Sequence, residues 1–222
     1  MLDWSDSPLK TFALPGMGAD EAMYPESWDR IPGLVRCAWR PLGNDRSLGD
    51  IAETMIRHYG ITAEDLIVGS SLGGMVGCEI AARLGVSDLV LVGSAVSREE
   101  IHPLAAWLHP LAQHAPIDWL RFSAASMPGE VAQMFGRSEP AFIRGMCRAV
   151  FEWKGYAPGP ATRLHRIHGC HDLLIPAPAK ADLFVDGGHV ISMTHAEACV
   201  TFVLGVLAAK AGRSPSTLSQ EP

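Results

Sequence analysis

A short apolar run that gives way to closely spaced glycines constrains this chain more than any other feature. The run is LIVGSSLGGMVG at residues 66–77. Its first three residues predict a buried strand, and the small residues that follow predict a sharp turn into a helix over about 72–84. The chain is therefore expected to contain a strand, a tight turn and a helix in direct succession.

Ser71 stands in that turn with a glycine two places to either side, which matches the pattern G-x-S-x-G. Glycine at both places leaves room for a turn that strains the serine backbone and holds its hydroxyl clear of the sheet. Ser70 does not fit the pattern, because Val68 and Leu72 stand two places from it and would crowd strand against helix. Ser71 is the candidate nucleophile, and the alternative is a chance match in a glycine-rich loop.

The order of the remaining elements predicts a parallel sheet. Strand patterns lie at residues 10–14, 34–39, 66–68, 88–94, 163–168 and 182–185, and helical patterns lie at 24–30, 47–60, 72–84 and 194–209. Strands that alternate with helices and are apolar on both faces belong in a sheet covered by helices on each side. We expect a three-layer α/β fold with about six mostly parallel strands.

The stretch 95–160 interrupts this alternation. It lacks strand patterns and is broken by prolines, so it predicts several short helices that form a small helical cap. With 222 residues, of which 48% are hydrophobic, the chain fits one domain over 1–209 that includes this cap. Residues 210–222 are polar and predict a flexible C-terminal tail.

Composition narrows the possible partners and compartment. A net charge of −6 disfavours nucleic acid, because phosphate binding needs clustered lysines and arginines. The five cysteines are odd in number and scattered, which fits neither a disulfide framework nor a zinc site and favours a reducing compartment. The N-terminus lacks a signal-like apolar segment, and no apolar run is long enough to span a membrane. We expect a cytoplasmic protein that does not enter membranes.

Asp172 and His189 supply what a serine nucleophile needs, which is a base and a carboxylate that orients the base. Asp172 comes just after the fifth predicted strand, and His189 comes just after the sixth. Loops that follow parallel strands open at one edge of a sheet, so we expect Ser71, Asp172 and His189 to converge there.

The chain resembles the α/β-hydrolase superfamily over nearly its full length, from about residue 10 to 209. The resemblance depends on the chain order serine, aspartate, histidine, and on four short motifs at the expected places: PGMG at 15–18, GSSLG at 69–73, HGCHD at 168–172 and GGH at 187–189. It implies an oxyanion hole formed by the backbone N–H groups of Met17 and Leu72.

The chain also departs from the family pattern. The first loop has Pro15-Gly16 where the family usually has His-Gly, so the resemblance does not say which contacts support this loop. The two antiparallel strands that usually lead the fold are missing from the predicted elements, which indicates a minimal member.

The resemblance implies acyl transfer from a carboxylic ester or thioester to Ser71. His189 would take the serine proton and later deliver it to the leaving group, Asp172 would orient the imidazole, and water would hydrolyse the acyl-enzyme. Such an esterase needs a small-molecule substrate but no metal and no organic cofactor. The alternatives are a lyase or an acyltransferase with the same three residues, and a protein that binds a small molecule without turnover.

Other reactive side chains favour simpler interpretations. His165, His168 and His171 recur every third residue, but strand residues three apart face opposite sides, so His165 and His168 cannot hold one metal ion. Cys78 and Cys170 are expected to be small buried or loop residues rather than nucleophiles.

The cap carries the candidate substrate-binding residues Trp107, Met134 and Phe135. They line a pocket if the cap covers the catalytic edge, and otherwise they form the core of the cap. The sequence does not indicate the oligomeric state.

Overall fold

A computed structural model describes residues 9–101 and 138–212 of the chain. The predicted pocket residues Trp107, Met134 and Phe135 lie outside the described residues, as does nearly all of the predicted tail. Their assignments therefore stay predictions.

Six parallel strands form one sheet in the described residues, in the order β2-β1-β3-β4-β5-β6. Every neighbouring pair in this sheet is parallel, and the described residues contain no antiparallel strand. The predicted α/β sheet is confirmed. The strands are β1 Thr11–Leu14, β2 Leu34–Arg36, β3 Leu66–Ser70, β4 Asp88–Val92, β5 Arg163–Gly169 and β6 Leu183–Val185.

Helices cover both faces of the sheet, so the central strands β1, β3 and β4 are buried on both sides, as expected for a parallel sheet. Side chains of α1, α2 and α3 pack on one face, together with Phe12 and Leu14 of β1. Side chains of α4 and α5 pack on the opposite face, together with Ala13. The helices are α1 Leu48–Tyr59, α2 Leu72–Leu84, α3 Pro140–Glu152, α4 Ile191–Thr194 and α5 Ala196–Ala211.

The start of α1 follows from two side chains. The hydroxyl of Ser47 accepts a hydrogen bond from the Asp50 N–H at 3.1 Å, and the Asp50 carboxylate accepts one from the Ser47 N–H at 3.0 Å. This reciprocal capping box satisfies two backbone donors that the first helical turn leaves without partners. Ser47 is thus the N-cap, and Asp50 completes the motif.

Two elements, one in the connection from β1 to β2 and one at the end of β2, differ from the prediction. The helix predicted over 24–30 is instead two 3-10 helices, Glu21–Met23 and Glu26–Arg30, with Pro25 between them, where proline cannot donate a helical hydrogen bond. The second strand ends at Arg36 and not at residue 39, because the Ala38 N–H turns to the hydroxyl of Tyr59 at 2.7 Å.

The helix predicted over 194–209 is interrupted near its start. His195 has φ −128° and ψ 38°, which is not helical, and it separates α4 from α5. Within the predicted cap at 95–160, α3 has 13 residues and begins at a proline. The described part of the cap therefore contains a longer helix than its prolines suggest. No helix in the described ranges is long and apolar enough to cross a membrane.

The sheet has a switch point between β1 and β3. The chain from β1 to β2 crosses the face where Trp28 packs with α5, whereas the chain from β3 to β4 passes through α2 on the other face. At the carboxyl end of this pair, Leu14 is the partner of Gly69. Ligands of α/β sheets bind in the crevice that such a reversal opens.

Candidate active site

Ser71 occupies the turn between β3 and α2 in a strained backbone conformation. Its φ is 51° and its ψ is −120°, and it is the one non-glycine residue with positive φ among those that the structure describes. Its N–H donates to the carbonyl of Val92 at 3.1 Å, and its carbonyl accepts from the hydroxyl of Ser94 at 2.6 Å. Such strain persists only where neighbours hold it in place, and here the end of β4 does so.

The glycines on either side of Ser71 allow strand and helix to approach closely. A Cβ on Gly69 would lie 2.4 Å from backbone atoms of Gly73, and a Cβ on Gly73 would lie 2.1 Å from the carbonyl oxygen of Leu14. Both obstacles are backbone, so no side-chain rotation could relieve them. The spacing that singled out Ser71 in the sequence is therefore a steric requirement of the turn.

His189 connects Ser71 with Asp172. Its Nε2 lies 2.9 Å from Oγ of Ser71, and its Nδ1 lies 2.8 Å from Oδ2 of Asp172. The Asp172 side chain is fully buried and the His189 side chain is 13% exposed. The structure thus brings the three residues together in the order in which a nucleophile, a base and an orienting carboxylate must stand.

Asp172 is held by its own loop as well as by His189. Its Oδ1 accepts the N–H groups of Leu174 and Ile175, both at 2.9 Å. Burial raises the pKa of Asp172, but hydrogen bonds with His168 and His189, the charge of His189 and the Ile175 N–H outweigh it and hold the pKa well below its usual range. The carboxylate is therefore ionised and can fix the orientation of the imidazole.

His168 is a neighbour of Asp172 that sequence reasoning did not place in the site. It is 1% exposed, and its Nε2 lies 2.8 Å from the carbonyl of Ile175 and 3.5 Å from Oδ2 of Asp172. It therefore ties β5 to the loop that carries the carboxylate. The signal was present, because His168 lies in the HGCHD motif, but the motif alone does not show which way the side chain faces.

Met17 and Leu72 are the predicted oxyanion donors. Leu72 is the first residue of α2, and Met17 follows Gly16, where a Cβ would lie 3.6 Å from Cβ of Ser71. In residues 9–101 and 138–212, neither the Met17 N–H nor the Leu72 N–H donates a hydrogen bond. Two unpaired donors close to a serine are what a developing oxyanion needs.

A sequence model described as "Alpha/beta hydrolase family" matches residues 10–202, which is most of the chain. The chain belongs to the alpha/beta hydrolase family. No curated protein matches its sequence.

Solved structures of other proteins share the fold of this alpha/beta hydrolase at low sequence identity. An enol-lactonase from Burkholderia xenovorans is 16% identical, with 90% of this chain and 91% of that chain covered and a TM-score of 0.73. A thermophilic esterase from Thermogutta terrifontis is 16% identical, with coverage of 91% and 90% and a TM-score of 0.67. An esterase from Exiguobacterium antarcticum is 13% identical, with coverage of 90% and 92% and a TM-score of 0.66.

The histidines of β5 and its loop have separate partners in this alpha/beta hydrolase. Nε2 of His165 lies 2.9 Å from Oδ1 of Asp88, while Nε2 of His171 lies 2.8 Å from Oδ1 of Asp186. Neither shares a partner with His168. In the part of the chain that the structure describes, no group of three or more histidine, cysteine, aspartate or glutamate residues could hold a metal ion.

The two cysteines considered in the sequence differ in exposure. Cys78 is buried within α2 and Cys170 is exposed in the loop after β5. Burial raises the pKa of the Cys78 thiol, which opposes formation of a reactive thiolate.

A cavity of about 690 Å³ lies beside the loop that follows β1 and carries Met17, here called the Met17 loop. The chain that follows β2 and one side of α3 form most of its walls, and Ala19 and Asp20 complete them. The ring centres of Trp39 and Phe142 lie 6.5 Å apart at this wall, with the ring planes tilted by 44°. Its volume is within the range of about 300–1,000 Å³ typical of small-molecule sites. Sequence reasoning missed it, because its walls come from two segments far apart in the chain. The lining residues are Ala19, Asp20, Ala38, Trp39, Arg40, Pro41, Leu42, Gly43, Asp45, Arg46, Ser138, Glu139, Ala141, Phe142, Gly145 and Arg148.

Proposed function

We propose that this protein is a serine hydrolase that cleaves a carboxylic ester or thioester through an acyl-enzyme on Ser71. The observation that carries the proposal is the unbroken series of contacts from Asp172 through both nitrogens of His189 to Oγ of Ser71, at 2.8 Å and 2.9 Å. A serine hydroxyl is a weak nucleophile near neutral pH, and a base at this distance activates it.

The reaction begins when Oγ of Ser71 attacks the carbonyl carbon of the substrate while Nε2 of His189 takes the hydroxyl proton. The tetrahedral oxyanion accepts hydrogen bonds from the N–H groups of Met17 and Leu72, each of which lowers the barrier by about 3 kcal/mol. His189 then gives its proton to the departing alcohol or thiol. Water repeats the same steps on the acyl-enzyme, which releases the carboxylic acid and restores Ser71.

The cavity beside the Met17 loop is large enough for an apolar portion of a small-molecule substrate, although Ser71, Asp172 and His189 do not line it. Aromatic and aliphatic side chains form much of its wall, including Trp39, Leu42 and Phe142. An ester as the substrate class is also in keeping with the names of the structurally similar esterases and enol-lactonase.

The deciding experiment is reaction with a fluorophosphonate probe, which phosphonylates activated serines. We expect one probe molecule per protein chain, located on Ser71 by mass spectrometry of peptides. The variant Ser71→Ala should not react, whereas Ser70→Ala should. A short-chain nitrophenyl ester should be hydrolysed by the same preparations that react.

The alternatives give different results in the same assays. A protein that binds small molecules without catalysis would neither react with the probe nor hydrolyse the ester. A lyase or an acyltransferase would react with the probe but release little free acid, and an acyltransferase would form a new ester when an acceptor alcohol is added. Either pattern would contradict the proposed hydrolase.

A further inference from the structure

Trp39 contacts the loop that carries Met17, next to the position where the family pattern and this sequence differ. The loop has Pro15-Gly16 in place of His-Gly, so position 15 has no histidine side chain to support the loop. Instead, the indole N–H of Trp39 donates to the carbonyl oxygen of Gly16 at 2.8 Å. The Ala19 N–H donates to the same oxygen at 3.2 Å. Two donors therefore fix this carbonyl.

The Gly16 carbonyl and the Met17 N–H belong to one peptide unit. The peptide is trans, as are all those described, so its C=O and N–H bonds point in opposite directions in one plane. A donor that fixes the direction of the Gly16 oxygen thereby fixes the direction of the Met17 N–H. Hydrogen bonds to the oxygen also polarise the peptide and strengthen its N–H as a donor.

The other side of Gly16 is held as well. Its N–H donates to the sulfur of Met23 at 3.0 Å. A Cβ on Gly16 would lie 3.3 Å from Cε of Met23 and 3.6 Å from Cβ of Ser71. Gly16 is thus enclosed between Met23 and Ser71, which leaves the direction of the next peptide to be set by Trp39 and Ala19.

We infer that Trp39 is a positioning residue for the oxyanion site, and that its indole N–H aims the Met17 N–H at the carbonyl oxygen of the substrate. The inference rests on the proposed function, since it needs a substrate carbonyl at Ser71. Trp39 itself acts through the Gly16 peptide and touches no reacting atom. Its ring packs beside Phe142 at the cavity wall, which keeps the N–H in place.

The variant Trp39→Phe tests this role because it removes the N–H and keeps an aromatic ring. We expect kcat for a nitrophenyl ester to fall roughly 10- to 100-fold, which is less than the 10²–10³-fold cost of deleting an oxyanion donor outright. KM should change less than kcat, because phenylalanine keeps an aromatic ring at the cavity wall and the ground-state carbonyl gains less from the donor than the oxyanion does.

The matched control is Trp153→Phe, which makes the same chemical change elsewhere. The indole N–H of Trp153 donates to Oε1 of Glu79 at 2.8 Å, between the end of α3 and the middle of α2. Its loss should lower the unfolding midpoint and leave kcat unchanged. If Trp39→Phe fails to fold, benzothienylalanine at position 39 replaces the N–H with sulfur and keeps the shape of the indole.

A second readout separates positioning from a merely structural effect. Oγ of Ser71 adds to the carbonyl carbon of a trifluoromethyl ketone, and the carbonyl oxygen becomes an oxyanion. The methyl ketone of the same chain length binds without this addition. The Trp39 variants should lose at least tenfold more affinity for the trifluoromethyl ketone than for the methyl ketone. Equal weakening of both inhibitors, or an unchanged kcat, would overturn the inference.

The proposed function and the role of Trp39 fail in different ways. If the unmodified protein neither reacts with the fluorophosphonate nor hydrolyses esters, both are wrong. If the unmodified protein is active and Trp39→Phe retains full kcat and full affinity for the trifluoromethyl ketone, the role of Trp39 alone is wrong.

Discussion

Oγ of Ser71 lies 2.9 Å from Nε2 of His189, although 118 positions separate the two residues in the sequence. The contact exists because β3 and β6 are parallel strands of one sheet and their following loops open at the same edge. The turn after β3 points the serine outward, and the buried carboxylate of Asp172 holds the imidazole toward it.

Replacement of Ser71 should abolish most activity, whereas replacement of the adjacent Ser70 should not. We expect Ser71→Ala to reduce ester hydrolysis by roughly 10⁴-fold or more, because the nucleophile is lost. Ser70 ends β3 with 2% exposure, and in the described residues its hydroxyl forms no hydrogen bond with His189, so Ser70→Ala should retain most activity. Steady-state rates on a nitrophenyl ester, with the folded state checked by circular dichroism, provide the comparison. Similar losses in both variants would contradict the assignment of Ser71.

The losses of activity caused by replacing His189 and by replacing Ser71 should not add. A nucleophile and its base act as one unit, so the double variant Ser71→Ala/His189→Ala should be about as slow as either single variant. Asp172→Asn should keep the base but misdirect it, with a loss of roughly 10⁴-fold or less. Rate constants for all four variants should be measured at one pH with one substrate. A double variant much slower than both single ones would indicate two independent contributions.

The positions of Ser71, Asp172 and His189 could be predicted because they depend on features that sequence records directly. Glycines two places from Ser71 mark the turn, and apolar runs before Asp172 and His189 mark parallel strands. A parallel sheet then places the ends of its strands along one edge. No detail of side-chain packing is needed for this part of the prediction.

The supports of the site could not be predicted in the same way. The bond from Trp39 to Gly16 depends on how two loops are folded, and no periodic pattern describes loops. The bond from Ser94 to the carbonyl of Ser71 depends on the register of β3 with β4, which apolar runs do not fix. The predicted end of β2 was wrong for a similar reason. The Ala38 N–H donates to the hydroxyl of Tyr59, which lies far along the chain, and not to a neighbouring strand.

The stability of the protein toward acid should depend on Asp172. Its pKa is held below the ordinary value of about 3.9 that it has in the unfolded chain. Its ionised form therefore favours folding at pH values above about 4, and this contribution is lost as the pH falls through the lower pKa of the folded state. Asp172→Asn cannot ionise and should lose less stability on acidification.

Urea unfolding at several pH values between 7 and 2.5 would measure this difference. The gap in free energy of unfolding between the unmodified protein and Asp172→Asn should be widest near neutral pH and should shrink below about pH 4. Curves that stay parallel across this range would show that the carboxylate has the same pKa in the folded and unfolded chains.

Two glycine-to-alanine changes should shift stability in opposite directions, although the chemical change is the same. Gly205 lies within α5, and a Cβ there would meet no atom within 4 Å, so Gly205→Ala should stabilise the protein by up to about 1 kcal/mol through helix propensity.

Gly73 lies in the first turn of α2, where a Cβ would lie 2.1 Å from the carbonyl oxygen of Leu14. That overlap must push β1 away from the turn at Ser71, which should cost about 1–3 kcal/mol despite the better helix propensity of alanine. It should also lower kcat, because the Met17 loop follows β1 directly and would move with it. Urea midpoints and ester turnover of the two variants test both effects. A neutral or stabilising Gly73→Ala variant with normal turnover would show that the close approach of strand and helix is not required.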